Sequence, residues 1–566
     1  MSSSKNQWKT AILATEKELS KPRYRKISDA VVIGFFVFVI IGPIFNIFST
    51  IITSTNQINS TVFNDPLTGA FQWQLMGSVL LRSFWIAGLA VLIDIIIGIP
   101  MAIILTRNEF RGKQLLDTMV DLPLTVPTSA LGVSIYLFWG TNNGLAGLFG
   151  LNTGFFSPGL VLIVILHVVF TYPFIVRSIK VVLLETPKIL EDAATTLGAS
   201  GFTVFRTVTS PLVKEGLIAG SILAFARSLG ETGGTIIVAG LFQTAPLVIL
   251  SYRQDLNLPA AAFLSGILIF ICLVLLAIVK LITRKGGFAM KKVWPHFEQY
   301  ISRPAFCKLR NGLSGGVFLA FIFLPAIYIV IYVIQAGNSL GSILYGPDIK
   351  YAYLWTSLMD SFLIAGITTL IVLIMGVPMA FIIVNRKWGK LNAVIDTLVD
   401  IPLAIPSAAL GFATFLFWGP PGLGWFSPGF WLIVWVHVSF TFPYMIRPVI
   451  SIIQKSNKGL EDASRTLGAS NITTFRRVTL PVIKYGILAG AIMSFARSLG
   501  ETGATLVVMG NIRTIPVLIV DWFEEGGVAA ITAAAFAAVI IIAFSFVLIY
   551  LLRYFSNPRR DNSAGH

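Results

Sequence analysis

The sequence has 566 residues, of which 55% are hydrophobic and only 12% are charged, with a mean hydropathy of +0.81. These values exclude a water-soluble globular protein and predict an all-α protein that crosses a membrane many times. The net charge of +16 does not indicate nucleic-acid binding, because lysine and arginine cluster after alternate apolar stretches, as in cytoplasmic loops of membrane proteins.

The chain begins with a polar, basic segment, residues 1–27. It lacks the short apolar core and small-residue cleavage site of a signal peptide, so we predict a cytoplasmic N-terminal tail. The next segment, residues 28–283, holds six apolar stretches long enough to cross a bilayer. We predict these spans at about 28–52, 82–106, 117–140, 159–177, 211–240 and 259–283.

Prolines interrupt the third predicted span at Pro123 and Pro127. A proline inside a membrane helix leaves a backbone carbonyl that needs another partner, so these residues should face protein or a cavity rather than lipid. A simple packed kink is the alternative. Pro402 and Pro406 repeat the pattern in the second part of the chain.

Other polar or aromatic residues in the spans give weaker signals. His167 and His437 lack neighbouring cysteine or acidic residues, so we interpret them as hydrogen-bonded packing residues. Asp94 lies in the second span without an acidic counterpart later in the chain. Trp139 and Trp418 fall near outer span ends, where we expect them to anchor the helices at the lipid surface.

A polar elbow, residues 186–211, follows the fourth span. Thr186 and Pro187 are typical of a helix start, Gly198 of its end, and Ser200 can cap a second short helix. Pro211 lies where the next span begins. The apolar stripe of this elbow fits either an amphipathic helix lying on the lipid or a docking surface for another protein.

The span after the elbow carries an intramembrane charge pair. Counted from Pro211 at about 1.5 Å per residue, Arg227 lies roughly 24 Å along this helix, and Glu231 is one turn further. We predict an ion pair between them on one helix face, and an arginine fork that can also face a translocation pathway and bind an oxyanion. Arg497 and Glu501 repeat the arrangement.

A basic segment, residues 284–310, is predicted to be a cytoplasmic linker. The second half, residues 311–553, has a further six predicted spans, and residues 554–566 form a second cytoplasmic tail. We predict these spans at about 311–335, 357–385, 395–418, 429–447, 479–510 and 526–552. With six spans in each half, both elbows and both termini lie on the cytoplasmic side.

The second half repeats the first. Residues 191–240 match residues 461–510 without a gap, which defines a second elbow at residues 456–481. Asp117–Leu124 and Asp396–Leu403 also match. Parallel copies of even span number predict two halves related by a pseudo-twofold axis along the membrane normal, with a pathway between them. Two copies of the elbow favour a docking surface for a partner with two sockets.

The elbow resembles the EAA loop of ABC importer permeases, which couples the membrane subunit to its ATPase. Asp192, Asp462 and Ser464 replace alanines of that motif, and Ser210 replaces a leucine, but the elbow is retained. The resemblance implies ATPase-coupling residues in both copies. These are Glu191, Asp192, Ala193, Gly198, Phe202 and Phe205, with Glu461, Asp462, Ala463, Gly468, Ile472 and Phe475.

The segment FARSLGETGAT resembles sulfate, molybdate and tungstate permeases, and its Gly-Glu-Thr step also resembles phosphate permeases. Fusion of both halves in one chain is similar to ferric-iron and thiamine permeases. The resemblance therefore implies about twelve transmembrane helices in the type I importer arrangement, and an oxyanion substrate ahead of phosphate, iron or thiamine. The pathway residues are expected to be Arg227, Glu231, Arg497, Glu501, Pro127 and Pro406.

The chain contains no Gly-x-x-x-x-Gly-Lys-Ser/Thr motif, so we expect a transport subunit and not an enzyme. The resemblance implies two copies of a separate ATPase that binds ATP and Mg²⁺, and an extracytoplasmic substrate-binding protein. We expect no cofactor or metal on this chain and a location in the plasma membrane. An ion-driven secondary transporter is the alternative, although it needs no docking elbow.

Overall fold

The computed structural model describes residues 22–63, 69–282, 295–345 and 350–556, and all regular structure in these ranges is helical. Most of the predicted N-terminal tail, the first part of the basic linker and most of the C-terminal tail lie outside the described residues. The part of the linker that is described, from Pro295, is also helical.

The helices before the linker fall into long apolar segments and short connecting ones. They are α1 Pro22–Phe35, α2 Gly42–Thr53, α3 Thr55–Ile58, α4 Gly69–Arg107, α5 Lys113–Thr125, α6 Thr128–Trp139, α7 Leu160–Glu185, α8 Ile189–Thr196, α9 Gly201–Val204, α10 Ser210–Leu229, α11 Gly233–Val238, α12 Ala245–Gln254 and α13 Leu258–Ile282. Wider π-helical turns occupy Phe36–Ile41, Asn59–Phe63, Asn142–Ala146 and Phe205–Thr209.

The helices of the linker and second half repeat this order, so that α18–α27 correspond to α4–α13. They are α14 Pro295–Ile301, α15 Pro304–Phe318, α16 Leu324–Gln335, α17 Gly337–Leu344, α18 Lys350–Asn385, α19 Lys390–Ala404, α20 Ser407–Trp418, α21 Phe430–Lys455, α22 Lys458–Thr466, α23 Asn471–Thr474, α24 Leu480–Leu499, α25 Gly503–Val508, α26 Ile515–Glu525 and α27 Gly527–Ser556. Two π-helical turns occupy Leu319–Phe323 and Phe475–Thr479.

Ten helical segments of the described residues are long and apolar enough to cross a membrane, and the count reaches twelve if two bent helix pairs are each one span. The bent pairs are the predicted spans 117–140 and 395–418, which are broken by 108° and 110°. Val126 and Ile405, at these breaks, have extended backbone with ψ of 133° and 137°. Both precede a proline, which disfavours the helical conformation.

The predicted spans 211–240 and 479–510 are also shorter than expected. Helix α10 ends at Leu229 and α24 at Leu499, and three residues separate each from the short helix that follows. These breaks lie at the Gly-Glu-Thr step, so Glu231 and Glu501 lie beyond the helices that carry Arg227 and Arg497. The prediction of one helix face for each pair was therefore wrong.

The described residues build two large hydrophobic cores, each with residues from both halves of the sequence, and one small cluster within the first half. The first span, α1 and α2, packs on α18 and α20 of the second half, and α15 and α16 pack on α4 and α6 of the first half. The first span of each half is therefore exchanged. Burial of these apolar surfaces joins the halves into one unit.

Aromatic contacts lock the exchanged spans in place. The ring centroids of Phe321 and Trp139 are 5.1 Å apart, and those of Phe38 and Trp418 are 5.2 Å apart. Only 8% and 3% of the surfaces of Trp139 and Trp418 are exposed. The prediction that these tryptophans anchor the helices at the lipid surface was wrong, because the exchanged spans cover them.

The exchange predicts that the two halves remain associated without a covalent connection. A full-length chain cut by a protease site inserted within residues 283–294 should still purify as one particle in detergent, with both fragments retained by a tag on the C-terminal one. The measurement is affinity purification followed by gel filtration. Fragments that separate as two folded species would contradict the exchange of spans.

Candidate functional site

The first elbow has the helix–glycine–helix geometry predicted from its sequence. Gly198 ends α8 with a φ of +83°, a left-handed conformation that favours glycine. Ser200 accepts a hydrogen bond from the Thr203 N–H at 3.3 Å and so caps α9. Thr186 does not cap α8 as expected. Its hydroxyl donates to the Val182 carbonyl oxygen at the end of α7.

The second elbow has the same geometry. Gly468 has a φ of +84°, and Ser470 accepts a hydrogen bond from the Thr473 N–H at 3.1 Å. An apolar stripe lies exposed on both elbows, with 88% of the surface of Leu197 and 89% of that of Leu467 accessible. Exposed leucines beside a sharp turn form the kind of surface that another protein covers.

A half-buried glutamate connects the first elbow to the transmembrane helices. Glu191 Oε2 lies 3.0 Å from Arg107 Nε at the end of α4, and its Oε1 accepts a hydrogen bond from Thr209 at 3.0 Å. Arg107 also donates to the carbonyl oxygen of Leu183 at 3.1 Å. One carboxylate therefore connects α4, α8 and the start of α10. A displacement of the elbow would thus be transmitted to all three elements.

The second elbow lacks this arginine contact. Glu461 accepts a hydrogen bond from Thr479 at 2.8 Å, as Glu191 does from Thr209. The counterpart of Arg107 is Arg386, which instead donates to both carboxylate oxygens of Asp29 in α1 at 2.8 Å. The two elbows are thus anchored differently, because α1 supplies a carboxylate that competes for the arginine.

The other predicted coupling residues lie at or near the surface of the two elbows. Asp192, Ala193, Asp462 and Ala463 are exposed on α8 and α22. Phe202 and Phe205 are half-buried with ring centroids 6.2 Å apart. In the second copy Ile472 is half-buried and Phe475 contacts Phe381 of α18, with ring centroids 5.7 Å apart.

A cavity of about 520 Å³ lies between the two halves. It is lined by residues of α5, α6, α7, α10, α21, α24 and α27, and both predicted pathway arginines belong to this lining. The polar lining residues are Asp121, Thr128, Arg177, Arg227, Tyr444 and Arg497. The tertiary structure therefore brings Arg227 and Arg497 to one space from positions far apart in the sequence.

Each of these arginines forms an ion pair and retains access to the cavity. Arg227 Nη1 lies 2.7 Å from Glu231 Oε2, and Arg497 Nη2 lies 2.6 Å from Glu501 Oε2. The guanidinium of Arg227 also stacks 5.0 Å above the Phe170 ring. Side-chain exposures of 19% and 18% leave part of each guanidinium open to the cavity.

Glu231 and Glu501 have a second task at the helix breaks. The other carboxylate oxygen of Glu231 accepts the N–H of Gly234 at 3.1 Å, and Glu501 accepts the N–H of Ala504 at the same distance. These N–H groups belong to the first turns of α11 and α25, which have no helical partner for them. Each glutamate therefore joins an arginine to the start of the next helix.

Reciprocal contacts close the space beyond the arginines. A methyl group added at Gly503 would lie 2.8 Å from Thr232 Cβ, and one added at Gly233 would overlap Thr502. Gly230 packs on Pro406, and Gly500 packs on Pro127. Each contact from the first half to the second is matched by an equivalent contact from the second half to the first, as a twofold axis requires. These glycines, with their threonine and proline partners, form the seal.

The cavity extends from the arginines toward the elbows. Arg227 is seventeen residues beyond the start of α10, or about 26 Å from the first elbow. Arg177, which also lines the cavity, is eight residues before the end of α7, or about 12 Å from the same elbow. The cavity is therefore bounded by the seal on one side and extends toward the elbows on the other.

All four prolines of the bent pairs, Pro123, Pro127, Pro402 and Pro406, are buried within the protein. The expectation that they avoid lipid is confirmed. Pro127 and Pro406 lie directly at the seal, where each precedes a short buried helix. The bend and the close approach of a glycine from the other half thus occur at one place.

The histidines are also packed as expected. Both ring nitrogens of His167 are bonded, Nδ1 to the Ser228 hydroxyl at 2.7 Å and Nε2 to the Thr235 hydroxyl at 3.0 Å. His437 repeats both contacts with Ser498 and Thr505. Asp94 is fully buried and accepts a hydrogen bond from Thr171 at 2.5 Å.

Sequence reasoning missed an ion-pair cluster on the elbow side of the cavity. Arg177 Nε lies 2.6 Å from Asp121 Oδ1, and its Nη1 lies 2.7 Å from Asp117 Oδ1. Arg447 binds Asp400 and Asp396 in the same way. The signal was present, since two aspartates four residues apart recur in the matched segments, together with an arginine in α7 and α21 at equivalent positions.

Two stretches of the chain, residues 94–285 and 373–562, match the profile of a family described as binding-protein-dependent transport system inner membrane component. A molybdate/tungstate transport system permease protein of Methanocaldococcus jannaschii is 31% identical over 253 residues, which cover 44% of this chain and 97% of that protein. Each half of the chain thus corresponds to about one such protein.

Two bacterial relatives are also similar. A molybdenum transport system permease protein of Haemophilus influenzae is 41% identical over 170 residues, covering 28% of this chain and 72% of that protein. A sulfate transport system permease protein of Escherichia coli is 36% identical over 189 residues, covering 31% of this chain and 64% of that protein.

The seal predicts a leak when a side chain is forced into it. Gly503→Val would place methyl groups against Ser407 and Thr232, so the two halves should separate there. In proteoliposomes this variant should pass nitrate without ATP, whereas Gly366→Val, on α18 with open space around it, should not. A Gly503→Val protein that is folded and as tight as the unmodified chain would contradict this assignment of the seal.

Proposed function

The chain belongs to the family of binding-protein-dependent transport system inner membrane components, with the type I importer permease fold, and on that premise we propose that it carries an inorganic oxyanion of the sulfate, molybdate or tungstate class. The family domain occurs twice, so one polypeptide supplies both halves of the pathway. The observation that carries the proposal is the shared cavity with an arginine from each half.

The arginines support an oxyanion substrate on physical grounds. Each guanidinium retains donors beyond those bound by its glutamate, and a planar fork of N–H groups matches the oxygens of a tetrahedral anion. The apolar walls of the cavity strengthen that attraction by lowering the local dielectric. The names of the relatives, which are sulfate, molybdate and tungstate permeases, support the same class.

Energy would come from two copies of a separate ATPase subunit, which would bind ATP and Mg²⁺ and dock on the two elbows. The exposed leucines on both elbows support this site of docking. We place both elbows and both termini on the cytoplasmic side. A substrate-binding protein would then deliver the anion to the opposite face, at about residues 53–80, 141–158, 241–258 and 336–356.

The geometry supports transport by alternating access. In the present conformation the seal closes the end of the cavity that we assign to the outer side, while the cavity extends toward the elbows. When the ATPase subunits close, the elbows would approach each other and move α10 and α24, because Glu191 and Glu461 connect the elbows to the starts of these helices. The seal would then part and expose the arginines to the binding protein.

The substrate class is tested with the reconstituted complex. Sulfate, molybdate or tungstate on the binding protein should stimulate ATP hydrolysis, and phosphate, ferric iron and thiamine should not. Stimulation only by one of the last three would overturn the oxyanion proposal and leave the permease assignment intact.

The role of the arginines is tested by paired substitutions. Arg227→Gln with Arg497→Gln should reduce oxyanion uptake by at least about 10- to 100-fold, since the loss of even one hydrogen bond to a charged group costs about 1.5–3 kcal/mol. Arg227→Lys with Arg497→Lys keeps both charges and removes only the forks, so it should retain more activity. Uptake that is unchanged in the glutamine variant would leave these arginines a purely structural role.

The role of the elbows is tested at their glycines. Gly198→Asp with Gly468→Asp places a charged side chain at a left-handed position with open space around it, so the protein should fold but the docking surface should shift. ATP hydrolysis by the docked subunits should then no longer drive uptake.

The matched control for the elbows introduces the same charge a few residues away, at positions whose backbone is not left-handed. Gly201→Asp with Asn471→Asp places an acid in the first turn of α9 and α23, where the helix N-terminus favours it. This control should transport normally. Normal uptake in the Gly198→Asp and Gly468→Asp protein would contradict coupling through the elbows.

A further inference from the structure

Helix α14, a short helix before the second half, binds the first elbow. Glu298 of α14 reaches two residues there: its Oε1 lies 3.1 Å from Arg206 Nε, and its Oε2 accepts the Thr203 hydroxyl hydrogen at 2.7 Å. Only 3% of Glu298 and 9% of Arg206 are exposed. A charge pair that is almost fully buried and hydrogen-bonded holds its partners firmly, because removal of one member leaves the other unpaired away from water.

The end of the same helix makes a second contact. The Phe202 N–H donates to the Ser302 hydroxyl at 2.8 Å, and the Ser302 and Ser200 hydroxyl oxygens are 3.1 Å apart. Two residues later Pro304 begins α15, which packs on α4. Residues 298–304 therefore connect the first elbow to an exchanged span, and we call this segment the clip.

The surface that receives the clip is repeated on the second elbow. Ser470, Thr473 and Arg476 stand 270 residues after Ser200, Thr203 and Arg206. Ser470 caps its helix as Ser200 does. The copies differ in the burial of this arginine: Arg206 is buried under the clip, whereas Arg476 is exposed.

The sequence of the clip is also repeated, at the start of the chain. Glu298, Ser302, Arg303 and Pro304 have their counterparts 282 residues earlier in Glu16, Ser20, Lys21 and Pro22. The structure fixes this register independently of the match. Pro22 and Pro304 each begin a helix, and the π-helical turns Phe36–Ile41 and Leu319–Phe323 end at the same separation.

Helix α1 and the second elbow contact the same end of α18. Asp29 of α1 binds Arg386 at the end of α18, and Phe381, five residues earlier on α18, contacts Phe475 of the second elbow. Helix α1 also packs on α18 as α15 packs on α4. The middle of α1 and the second elbow therefore both contact the last turns of α18, and the sequence before Pro22 has an acidic residue, Glu16, at the position that matches Glu298.

We propose that residues 16–22 clip the second elbow as residues 298–304 clip the first. Glu16 pairs with Arg476 and accepts the Thr473 hydroxyl hydrogen, and Ser20 binds at Ser470. Residues 298–304 lead into α15, which packs on the first half, and they hold the first elbow. Residues 16–22 would likewise lead into α1, which packs on the second half, and hold the second elbow. This contact does not depend on the proposed substrate, and it gives the N-terminal segment a role in setting the position of a coupling surface.

The contact is tested by disulfide formation in the full-length chain. In a background with Cys272→Ala and Cys307→Ser, the pair Ser20→Cys with Ser470→Cys should form a disulfide under mild oxidation. A protease site inserted within residues 283–294 separates residue 20 from residue 470, so a disulfide keeps the cut fragments together on a non-reducing gel. These substitutions leave Glu16 and Arg476 in place.

Two further cysteine pairs serve as the positive and the negative control. Ser200→Cys with Ser302→Cys tests the clip that the structure describes, and should cross-link with comparable yield. Glu18→Cys with Ser470→Cys should give at least about a tenfold lower rate, because a residue two positions away faces the opposite side of a helix. Tyr300, the counterpart of Glu18, is accordingly 49% exposed.

The charge pair is tested in the same background. Glu16→Arg should lower the rate of the Ser20→Cys and Ser470→Cys disulfide by about tenfold, which corresponds to about 1.4 kcal/mol, and adding Arg476→Glu should restore it. Equal rates for the Ser20→Cys and Glu18→Cys pairs would overturn the proposal, as would a Glu16→Arg effect that Arg476→Glu does not reverse. In either case the exposed Arg476 face would be left to the ATPase, and the transport proposal would stand.

Discussion

The ion pairs at the ends of α10 and α24 are the interactions on which the proposed pathway depends. An arginine within a membrane is stable only when it is paired or hydrated. Arg227 and Arg497 are paired with glutamates, and both line the cavity. The same glutamates bind the first N–H groups of α11 and α25. A charge in the cavity is thus connected to the helices of the seal, which in the proposed pathway would couple substrate binding to the position of the gate.

The exchange of first spans makes the two halves one mechanical unit. Because each hydrophobic core contains residues of both halves, neither half can move as an independent body without separating apolar surfaces. Relative motion of the two halves is therefore easiest where the side chains that meet are small. The seal is such a place, since glycine, threonine and proline meet there with little side-chain volume.

The two halves are similar but not equivalent. Arg107 holds the first elbow through Glu191, whereas Arg386 binds Asp29 of the exchanged span. The cavity has a tyrosine, Tyr444, where the first half has Phe174. In a single chain the halves are free to diverge, so one elbow and one wall of the pathway can specialise while the twofold arrangement of the arginines is kept.

The sequence alone determined the membrane class, the duplication, the helix–glycine–helix elbows and the identity of the paired charges, because these follow from local apolar length, glycine and proline chemistry, and repeated spacing. Only the tertiary structure decided which spans are exchanged, that Trp139 and Trp418 are covered, and that Asp117 and Asp121 bind Arg177. It also decided that the third span of each half is bent and that Glu231 lies beyond α10 rather than on it. The physical reason is that such features depend on which surfaces meet. An apolar helix carries little information about its neighbour, and a proline or glycine permits a break that packing against the other half then fixes.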